Sequence, residues 1–238
     1  MLIKLSIVIP CYNELKNLPL LLKRCGQVVV RKDIEIVLVD NGSTDDSYNY
    51  INELLPEFPF INLVRVEQNQ GYGHGILEGL KAASGEILAW SHADMQTDPG
   101  DTIKGLEYFE SVSDSSLIFA KGRRCGRPIM DSFFTIGMSF FETLLMRTFM
   151  WDINAQPTMF QRSFYESWDT PPRDFSLDLY VYFMAKLSGL RIKRFPVYFK
   201  KRAFGVSHWN FSLAGKFKFI KRTLSYSFEL KQKIKRNA

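Results

Sequence analysis

Residues 34–45 read IEIVLVDNGSTD, an apolar run that ends in an aspartate and continues into a glycine-containing turn. Because the run is apolar at consecutive positions, it predicts a strand buried on both faces of a sheet. Gly42 lets the backbone turn, and Ser43 and Asp45 can cap a following helix. The stretch therefore predicts a strand–turn–helix unit, in which Asp40 either binds a nucleoside or serves the turn alone.

Similar apolar runs lie on both sides of this unit, with helical stretches between them. Strands are predicted at Leu5–Ile9, Ile34–Val39, Ile61–Val66, Ile87–Trp90, Ser116–Ala120, Thr158–Gln161 and Arg191–Tyr198. Helices are predicted near residues 14–28, 45–55, 73–83, 131–150 and 175–187, with another after Pro99. This alternation predicts an α/β fold with a mostly parallel sheet, whose strands end at the edge where nucleotides bind.

The charge of the chain is unevenly distributed. Of 238 residues, 46% are apolar and 24% charged, which is typical of a globular protein. Residues 200–238 hold eleven Lys or Arg and one Glu, whereas the preceding part holds twenty basic and twenty-four acidic residues. A basic tail predicts an anionic partner. Since no nucleic-acid recognition motif accompanies it, we expect a membrane surface and no nucleic acid.

The tail from Ser212 predicts one helix with an apolar stripe and basic flanks, the pattern of an interfacial helix. The stripe consists of Leu213, Phe217, Ile220, Leu224 and Phe228. The alternative is a basic helix that packs this stripe on the domain.

The chain shows no segment expected to cross a bilayer. The most apolar stretch, residues 133–151, is interrupted by Glu142 and Arg147 and predicts an amphipathic helix. The N-terminus begins with a strand pattern, so no signal peptide is expected, and three scattered cysteines predict reduced thiols. We therefore expect a cytoplasmic protein, peripheral on the inner face of the membrane.

Residues 92–99, HADMQTDP, directly follow the strand Ile87–Trp90. In an extended segment His92, Asp94 and Gln96 would project to one side, and carboxylate and amide oxygens suit Mg²⁺ or Mn²⁺. The alternative reading makes Asp98 the cap of the helix that Pro99 begins. We predict a divalent metal site at His92, Asp94 and Gln96.

Residues 69–75, NQGYGHG, open the next predicted helix. Backbone amides at Gly71 and Gly73 would then face a phosphate. His74 is either a pocket residue or a packed surface histidine.

Together these segments resemble the family 2 glycosyltransferases of the GT-A fold. The motifs LSIVIPCYNE, VLVDNGSTD and NQGYGHGILEGLKAASGEILAWSHADMQTDP stand in the family's order, and the resemblance covers about residues 3–210. It implies that a nucleotide pocket is lined by Pro10, Tyr12, Glu14, Asp40, Asn41 and Ser43. It also implies that Asp94 binds the metal beside the diphosphate of a nucleotide-sugar.

Within that family the chain looks most like the dolichol- or polyprenyl-phosphate sugar synthases. KGRRCGRP, WDINAQPTMF and KKRAFGVSHWN resemble their acceptor-side segments. The chain departs from their pattern at three positions: His92 replaces an aspartate, Gln156 a glycine and His208 a lysine. The resemblance implies transfer with inversion at the anomeric carbon.

A basic set and one carboxylate are the candidate acceptor-side residues. Arg side chains bind phosphate through forked hydrogen bonds, so we assign Arg123 and Arg202 to catalysis, and Lys121 and Arg124 to phosphate binding. The alternative is a solvated basic loop over residues 121–127. Asp178 is either a general base for a sugar hydroxyl or the anchor of an arginine from the acceptor loop.

These inferences predict a GT-A domain over residues 1–210, with a nucleotide-binding half (1–99) and an acceptor-binding half (100–210). Residues 211–238 are predicted to form a basic amphipathic membrane-associating helix. The predicted function is metal-dependent transfer of a sugar from a nucleotide-sugar to a polyprenyl or dolichyl phosphate. The alternatives are transfer to a saccharide hydroxyl in surface polysaccharide or glycolipid assembly, and a nucleotide-binding module without catalysis.

Overall fold

The computed structural model describes residues 2–126, 129–200, 202–204 and 213–237. Side chains are described for these residues except 129–134, 213–220 and 235–237. The strands are β1 Leu5–Cys11, β2 Ile34–Asn41, β3 Ile61–Val66, β4 Ile87–Trp90, β5 Ile118–Cys125, β6 Thr158–Gln161 and β7 Arg191–Tyr198. The helices are α1 Leu18–Val28, α2 Ser47–Leu54, α3 Tyr72–Ala82, α4 Asp101–Glu110, α5 Ile129–Met146, α6 Arg162–Glu166, α7 Leu177–Leu187 and α8 Leu213–Asn237. A short 3₁₀ turn, Leu55–Glu57, follows α2.

The strands form one sheet in the order β3-β2-β1-β4-β6-β5-β7. β6 runs antiparallel to both of its neighbours, and the other pairs are parallel. β4 and β5 therefore point the same way, with β6 between them. Their carboxyl ends, together with those of β1, β2 and β7, lie along one edge of the sheet.

Helices cover both faces of this sheet. Because neighbouring side chains on a strand point to opposite faces, Leu5, Ile7 and Ile9 pack with α1, α2 and α4, whereas Val8 packs with α3 and α7. Gly79 of α3 shows how closely the layers approach, since a Cβ there would lie 2.3 Å from Val8. The architecture is a three-layer α/β/α sandwich.

The seven predicted strands are confirmed; β1 and β2 run two residues further than expected, and β5 five residues further. β5 continues from Ile118 through Cys125, because it pairs with β7 over its whole length. The residues expected to form a basic surface loop therefore lie largely in a strand. The short helix α6 was not predicted from the sequence.

α8 confirms a C-terminal helix, but part of it packs on the domain. Leu230 is buried in the core, and Tyr226 and Ile234 pack beside it. Ser227 Oγ donates a hydrogen bond of 2.7 Å to Oε1 of Glu142 on α5. The docked face adjoins the predicted stripe, of which Phe228 is half exposed and meets the ring of Phe141 on α5. Leu213, Phe217 and Ile220 lie outside the described side chains, and Ser212 outside the described residues.

Among the residues that the structure describes, no helix combines the length and the apolar character needed to cross a bilayer.

Candidate active site

Two loops that follow neighbouring parallel strands are tied together by Asn13. Its backbone N–H donates to Ser43 Oγ (3.1 Å), and its side-chain oxygen accepts from the backbone N–H of Thr44 (2.8 Å). Asn13 has a φ of 55°, in the left-handed region that asparagine tolerates better than most residues. These loops and the strand ends before them form one rim that carries Pro10, Tyr12, Glu14, Asp40 and Ser43. Asn41, also expected in the nucleotide pocket, is buried, and its Nδ2 donates to the carbonyl of Gly71 at 3.0 Å.

Asp40 lies at the base of this rim. It is 1% exposed, and its Oδ1 accepts the backbone N–H of Ser43 at 3.2 Å. Gly42 makes the turn possible, because its φ is 74° and a Cβ there would lie 2.4 Å from the backbone nitrogen of Asn69. Asp40 therefore serves the turn and keeps its second oxygen for another partner. Tyr12 is 39% exposed on the rim.

The glycine-rich turn before α3 has a different neighbour from the expected phosphate. A Cβ on Gly73 would lie 2.5 Å from the carbonyl oxygen of Asp174, and one on Gly71 would lie 2.7 Å from that of Arg173. The N–H of His74 donates to the Arg173 carbonyl at 2.7 Å. The glycines thus make room for the chain before α7, and the binding of a phosphate by their amides stays a prediction.

Asp94 and Gln96 share one cation, the guanidinium of Arg202. Arg202 Nη2 lies 2.8 Å from Asp94 Oδ2, and Arg202 Nε donates to Gln96 Oε1 at 3.2 Å. Asp94 is 5% exposed. The segment is bent rather than extended, because Met95 has a φ of 58°. The bend nevertheless brings the two oxygens to one cation position.

These oxygens fit a divalent ion, whereas the part of the third expected ligand, His92, stays a prediction. A carboxylate and an amide oxygen that converge on a cation are hard donors of the kind Mg²⁺ and Mn²⁺ prefer. The imidazole of His92 is stacked on the ring of Tyr72, with 5.8 Å between centroids. No group of three His, Cys, Asp or Glu side chains in the described part of the chain is placed to hold a metal. A metal here would depend on Asp94, Gln96 and substrate oxygens.

The chain that follows β7 folds back over this position. The N–H of Lys200 donates to the carbonyl of Gln96 at 2.9 Å, and Asn17 Nδ2 donates to the carbonyl of Phe204 at 3.3 Å. The same Asn17 amide also donates to the carboxylate of Glu14. Burial raises the pKa of Glu14, although its bond to Asn17 and the nearby Arg202 lower it. Glu14, Asp94 and Arg202 therefore belong to one electrostatic site.

Lys121 and Asp178 form a buried pair behind this site. Lys121 is fully buried, its Nζ donates to Thr158 Oγ1 at 2.6 Å, and it lies 3.9 Å from Asp178 Oδ1. The same Asp178 oxygen accepts Gln156 Nε2 at 2.8 Å. Burial raises the pKa of Asp178 and lowers that of Lys121. Lys121, which we assigned to phosphate binding with a solvated loop as the alternative, is buried because β5 carries it into the core, and Asp178 contacts a lysine rather than an arginine.

The other basic residues of β5 lie at its carboxyl end. Arg124 is held by Asp152, through its Nε (2.8 Å to Oδ1) and its backbone N–H (2.9 Å to Oδ2). Arg194 of β7 approaches the same carboxylate at 3.9 Å, and its buried Nη1 has no partner among the described residues. Arg123 is exposed. Two guanidinium groups on one carboxylate, beside Arg123, leave this end of the sheet positively charged.

A pocket beside Arg124 has mostly apolar walls. It lies between α5, α7 and α8, and is lined chiefly by Arg124, Met138, Ser139, Ile153, Phe175 and Leu179. Its volume of about 50 Å³ is far below the roughly 300 Å³ at which small-molecule pockets begin, so it does not hold a hydrocarbon chain.

Sequence reasoning missed several residues that organise the site. Asn17, Tyr72 and Arg194 were not singled out, and Asp152 was only part of a quoted motif. Their contacts join segments distant in the chain, such as Tyr72 with Gln156. No spacing rule signals such a contact.

Comparison with known proteins identifies the family and the fold of the chain. The sequence profile described as Glycosyl transferase family 2 matches residues 6–166. The chain is 32% identical over 114 residues to a dolichol-phosphate mannosyltransferase of Pyrococcus furiosus, covering 48% of this chain and 32% of that protein. It is 37% identical over 100 residues to an undecaprenyl-phosphate 4-deoxy-4-formamido-L-arabinose transferase of an Enterobacter species, covering 40% and 30%. The matches span about a third of the length of these curated relatives.

Solved structures show the same fold at low identity. A glucosyl-3-phosphoglycerate synthase from Mycobacterium tuberculosis in complex with UDP superposes with a TM-score of 0.70 at 16% identity, covering 95% of this chain and 79% of that one. A mannosyltransferase from Pyrobaculum calidifontis in complex with GDP-Man and Mn²⁺ gives 0.63 at 18% identity, covering 82% and 56%. The architecture is the GT-A fold of nucleotide-sugar-dependent glycosyltransferases. The chain belongs to glycosyl transferase family 2.

Proposed function

We propose that this protein transfers a sugar, with inversion, from a nucleoside diphosphate to a polyprenyl or dolichyl phosphate at a membrane surface. The observation that carries the proposal is the shared edge of β4, β5 and β7. β4 leads to the oxygens of Asp94 and Gln96, β5 ends in Arg123 and Arg124, and β7 leads to Arg202. Only β6 separates β4 from β5, so the ends of these two strands lie roughly 10 Å apart.

The donor side of the proposal rests on the rim and on the Asp94–Gln96 pair. The rim supplies Asp40 for a nucleoside, and the pair would hold a divalent ion beside the diphosphate. Such an ion would offset the charge that develops on the departing diphosphate. Arg202, which already pairs with Asp94, is placed to act on the same charge. The solved structures with GDP-Man and Mn²⁺ and with UDP support this donor class.

The acceptor side favours a lipid phosphate. A phosphate monoester is already anionic near neutral pH, with a second pKa of about 6, and needs cations rather than a strong base. Arg123, which is exposed, and Arg124 at the end of β5 supply the cations. Asp178, by contrast, is 4% exposed and occupied by Gln156 and Lys121. The printed names of the relatives, which act on dolichol phosphate and undecaprenyl phosphate, agree with this choice.

One observation favours the alternative acceptor, a saccharide hydroxyl. A hydroxyl group is a weak nucleophile, and a carboxylate with a raised pKa is a suitable base for it. Burial raises the pKa of Asp178. Transfer of radiolabelled sugar to a lipid phosphate and, separately, to saccharides distinguishes the two acceptors.

We further propose that the protein lies peripherally on the cytoplasmic face of the membrane, with α5 and α8 together forming its docking surface. Exposed apolar residues concentrate on α5 and the loop after it: Ile136, Phe140, Leu144, Phe149 and Trp151. Glu142, the acidic residue of this stretch, is buried. The basic helix α8 packs beside α5, where Phe141 and Phe228 meet edge to face. An apolar ridge flanked by basic side chains fits an anionic lipid surface.

The donor proposal is tested by thermal unfolding with Mn²⁺ and a panel of UDP-, GDP-, dTDP- and CMP-linked sugars. A ligand at a hundred times its Kd adds about 2.7 kcal/mol to the free energy of unfolding, which raises Tm by several degrees. Protection by one nucleotide class is expected, together with release of free nucleotide on adding a lipid phosphate. Protection without turnover would support the non-catalytic alternative, and no protection would contradict the donor proposal.

A further inference from the structure

We propose that Tyr72 is a positioning residue of the transfer site, whose ring fixes the imidazole of His92 and whose hydroxyl fixes Gln156. The proposal rests on the proposed function, because the two ends that Tyr72 joins are the donor and acceptor sides of that reaction. It assigns Tyr72 no direct contact with a substrate.

The ring of Tyr72 is held in a three-membered stack. It lies parallel to Phe175, with 4.7 Å between centroids and 9° between planes, and it stacks on His92 at 5.8 Å and 27°. Tyr72 is the first residue of α3, and Phe175 precedes α7. Because the close approach at Gly71 and Gly73 fixes the chain before α7 against α3, the stack has a rigid frame. His92 is therefore held by packing at the end of β4.

The hydroxyl of Tyr72 is joined to the buried charges of the acceptor side. Gln156 Nε2 donates to Tyr72 OH at 3.0 Å and to Asp178 Oδ1 at 2.8 Å. The amide is 1% exposed, and two bonds from its nitrogen fix its orientation. Asp178 in turn lies 3.9 Å from Lys121 of β5. A continuous set of contacts thus runs from His92 to β5.

This arrangement links two positions at which the chain departs from the sequence pattern it resembles. His92 replaces an aspartate and Gln156 replaces a glycine, and they contact the same tyrosine from its ring face and its hydroxyl end. An aspartate could not stack on the ring, and a glycine could not reach the hydroxyl. The two departures are therefore parts of one structure centred on Tyr72.

The test compares Tyr72→Leu, which removes the stack and the hydroxyl, with Tyr72→Phe, which removes only the hydroxyl. Sugar transfer to undecaprenyl phosphate is measured with UDP-glucose and GDP-mannose, and binding of UDP and GDP with Mn²⁺ by calorimetry. A displacement of a site residue by about 1 Å can lower the rate roughly 100-fold. Because Tyr72→Leu frees His92 and Gln156 to move, it should lower kcat by about that factor. Tyr72→Phe should lose about two- to tenfold, the effect of one hydrogen bond. Nucleotide affinity should stay within about twofold in both.

A second readout does not depend on turnover. The chain contains three histidines, so substituting each one assigns the imidazole NMR signals. The His92 signals should move in Tyr72→Leu and stay close to wild type in Tyr72→Phe, which keeps the ring. Tyr180→Phe is the matched control, because it removes another buried tyrosine hydroxyl, one that donates to the Asp169 carbonyl at 3.0 Å. The control should change Tm without changing kcat or the His92 signals.

The outcomes separate this proposal from the proposed function. Unchanged His92 signals in Tyr72→Leu, or an equal loss of kcat in Tyr180→Phe, would overturn the positioning role. A wild-type protein that transfers no sugar would overturn the proposed function, while the His92 signals would still decide whether Tyr72 positions that ring.

Discussion

At the scale of single residues, the shared cation position of Asp94 and Gln96 makes a prediction about metal dependence. Asp94→Asn removes the charge that holds a divalent ion, so the Mn²⁺ concentration for half-maximal activity should rise at least about tenfold. Gln96→Ala should be milder, because an amide oxygen is the weaker ligand. Activity is measured against Mn²⁺ and Mg²⁺ concentration, with the exposed Asp114→Asn as the matched control. Wild-type metal response in Asp94→Asn, or activity that survives a chelator, would contradict the metal assignment.

How far these residues were predictable depends on the range of their contacts. Asp94 and Gln96 follow a buried strand, and strand ends in a parallel sheet are recognisable from sequence, so their placement at the edge was predictable. The bend at Met95 was not, because an extended segment was the simplest geometry. The Arg202–Asp94 pair joins residues more than a hundred positions apart, and only the fold reveals it.

At the scale of elements, the contact between α5 and α8 contains a buried acid and makes a prediction about pH. Burial raises the pKa of Glu142 from 4.5 to about 7, although its bond to Ser227 lowers it. Because the pKa is raised in the folded state, protonated Glu142 stabilises the fold. This stabilisation is fully present below about pH 4.5 and is lost as pH rises through about 7. The free energy of unfolding should fall by about 3 kcal/mol from this group, at 1.36 kcal/mol per pKa unit.

Glu142→Gln tests this, since the amide keeps an oxygen for Ser227 and does not ionise. Urea unfolding at pH 5 and pH 8 should show a smaller loss of stability in the variant than in wild type. The exposed Glu57→Gln is the control. Equal pH dependence in wild type and Glu142→Gln would show that Glu142 is not responsible.

The elements also show where sequence patterns stop being informative. Apolar runs located the first four strands, because a buried parallel strand leaves a continuous signal. The polar residues KGRRC suggested a loop, yet pairing with β7 extends β5 through them, so tertiary contacts overrode local composition. For α8 the periodicity indicated an amphipathic helix, but the periodicity did not show that Ser227 and Leu230, beside the stripe, pack on the domain.

At the scale of the whole molecule, the ridge on α5 predicts membrane association. Phe140→Ser with Leu144→Ser should reduce sedimentation with vesicles containing anionic lipid, because these side chains are 65% and 63% exposed and give no support to the core. Salt should weaken wild-type binding only partly, since it screens the charges and not the apolar contact. Val30→Ser with Leu117→Ser, which removes exposed apolar residues elsewhere, is the matched control.

Two results would contradict the proposal that the ridge on α5 binds the membrane. Undiminished vesicle binding by the ridge variant would place the contact elsewhere, including the part of α8 whose side chains are not described. Self-association of the wild type that the ridge substitutions abolish, without vesicle binding, would show that the ridge binds a second copy of the chain.

The division into a nucleotide-binding half, residues 1–99, and an acceptor-binding half, residues 100–210, remains our proposal. The basic end of β5 in the second half should bind the acceptor phosphate, so Arg123→Ala should lower transfer to polyprenyl phosphate by about ten- to a hundredfold, as expected for a charged hydrogen bond. Arg191→Ala removes an exposed arginine at the opposite end of β7 and is the matched control.

The measurement that tests the account most directly is transfer of radiolabelled sugar to undecaprenyl phosphate and, separately, to saccharide acceptors. Wild type and Arg191→Ala should form product on the lipid phosphate. Arg123→Ala should lose most of this transfer, and Asp178→Asn should retain substantial activity. Transfer to a saccharide hydroxyl alone, lost completely in Asp178→Asn, would contradict it.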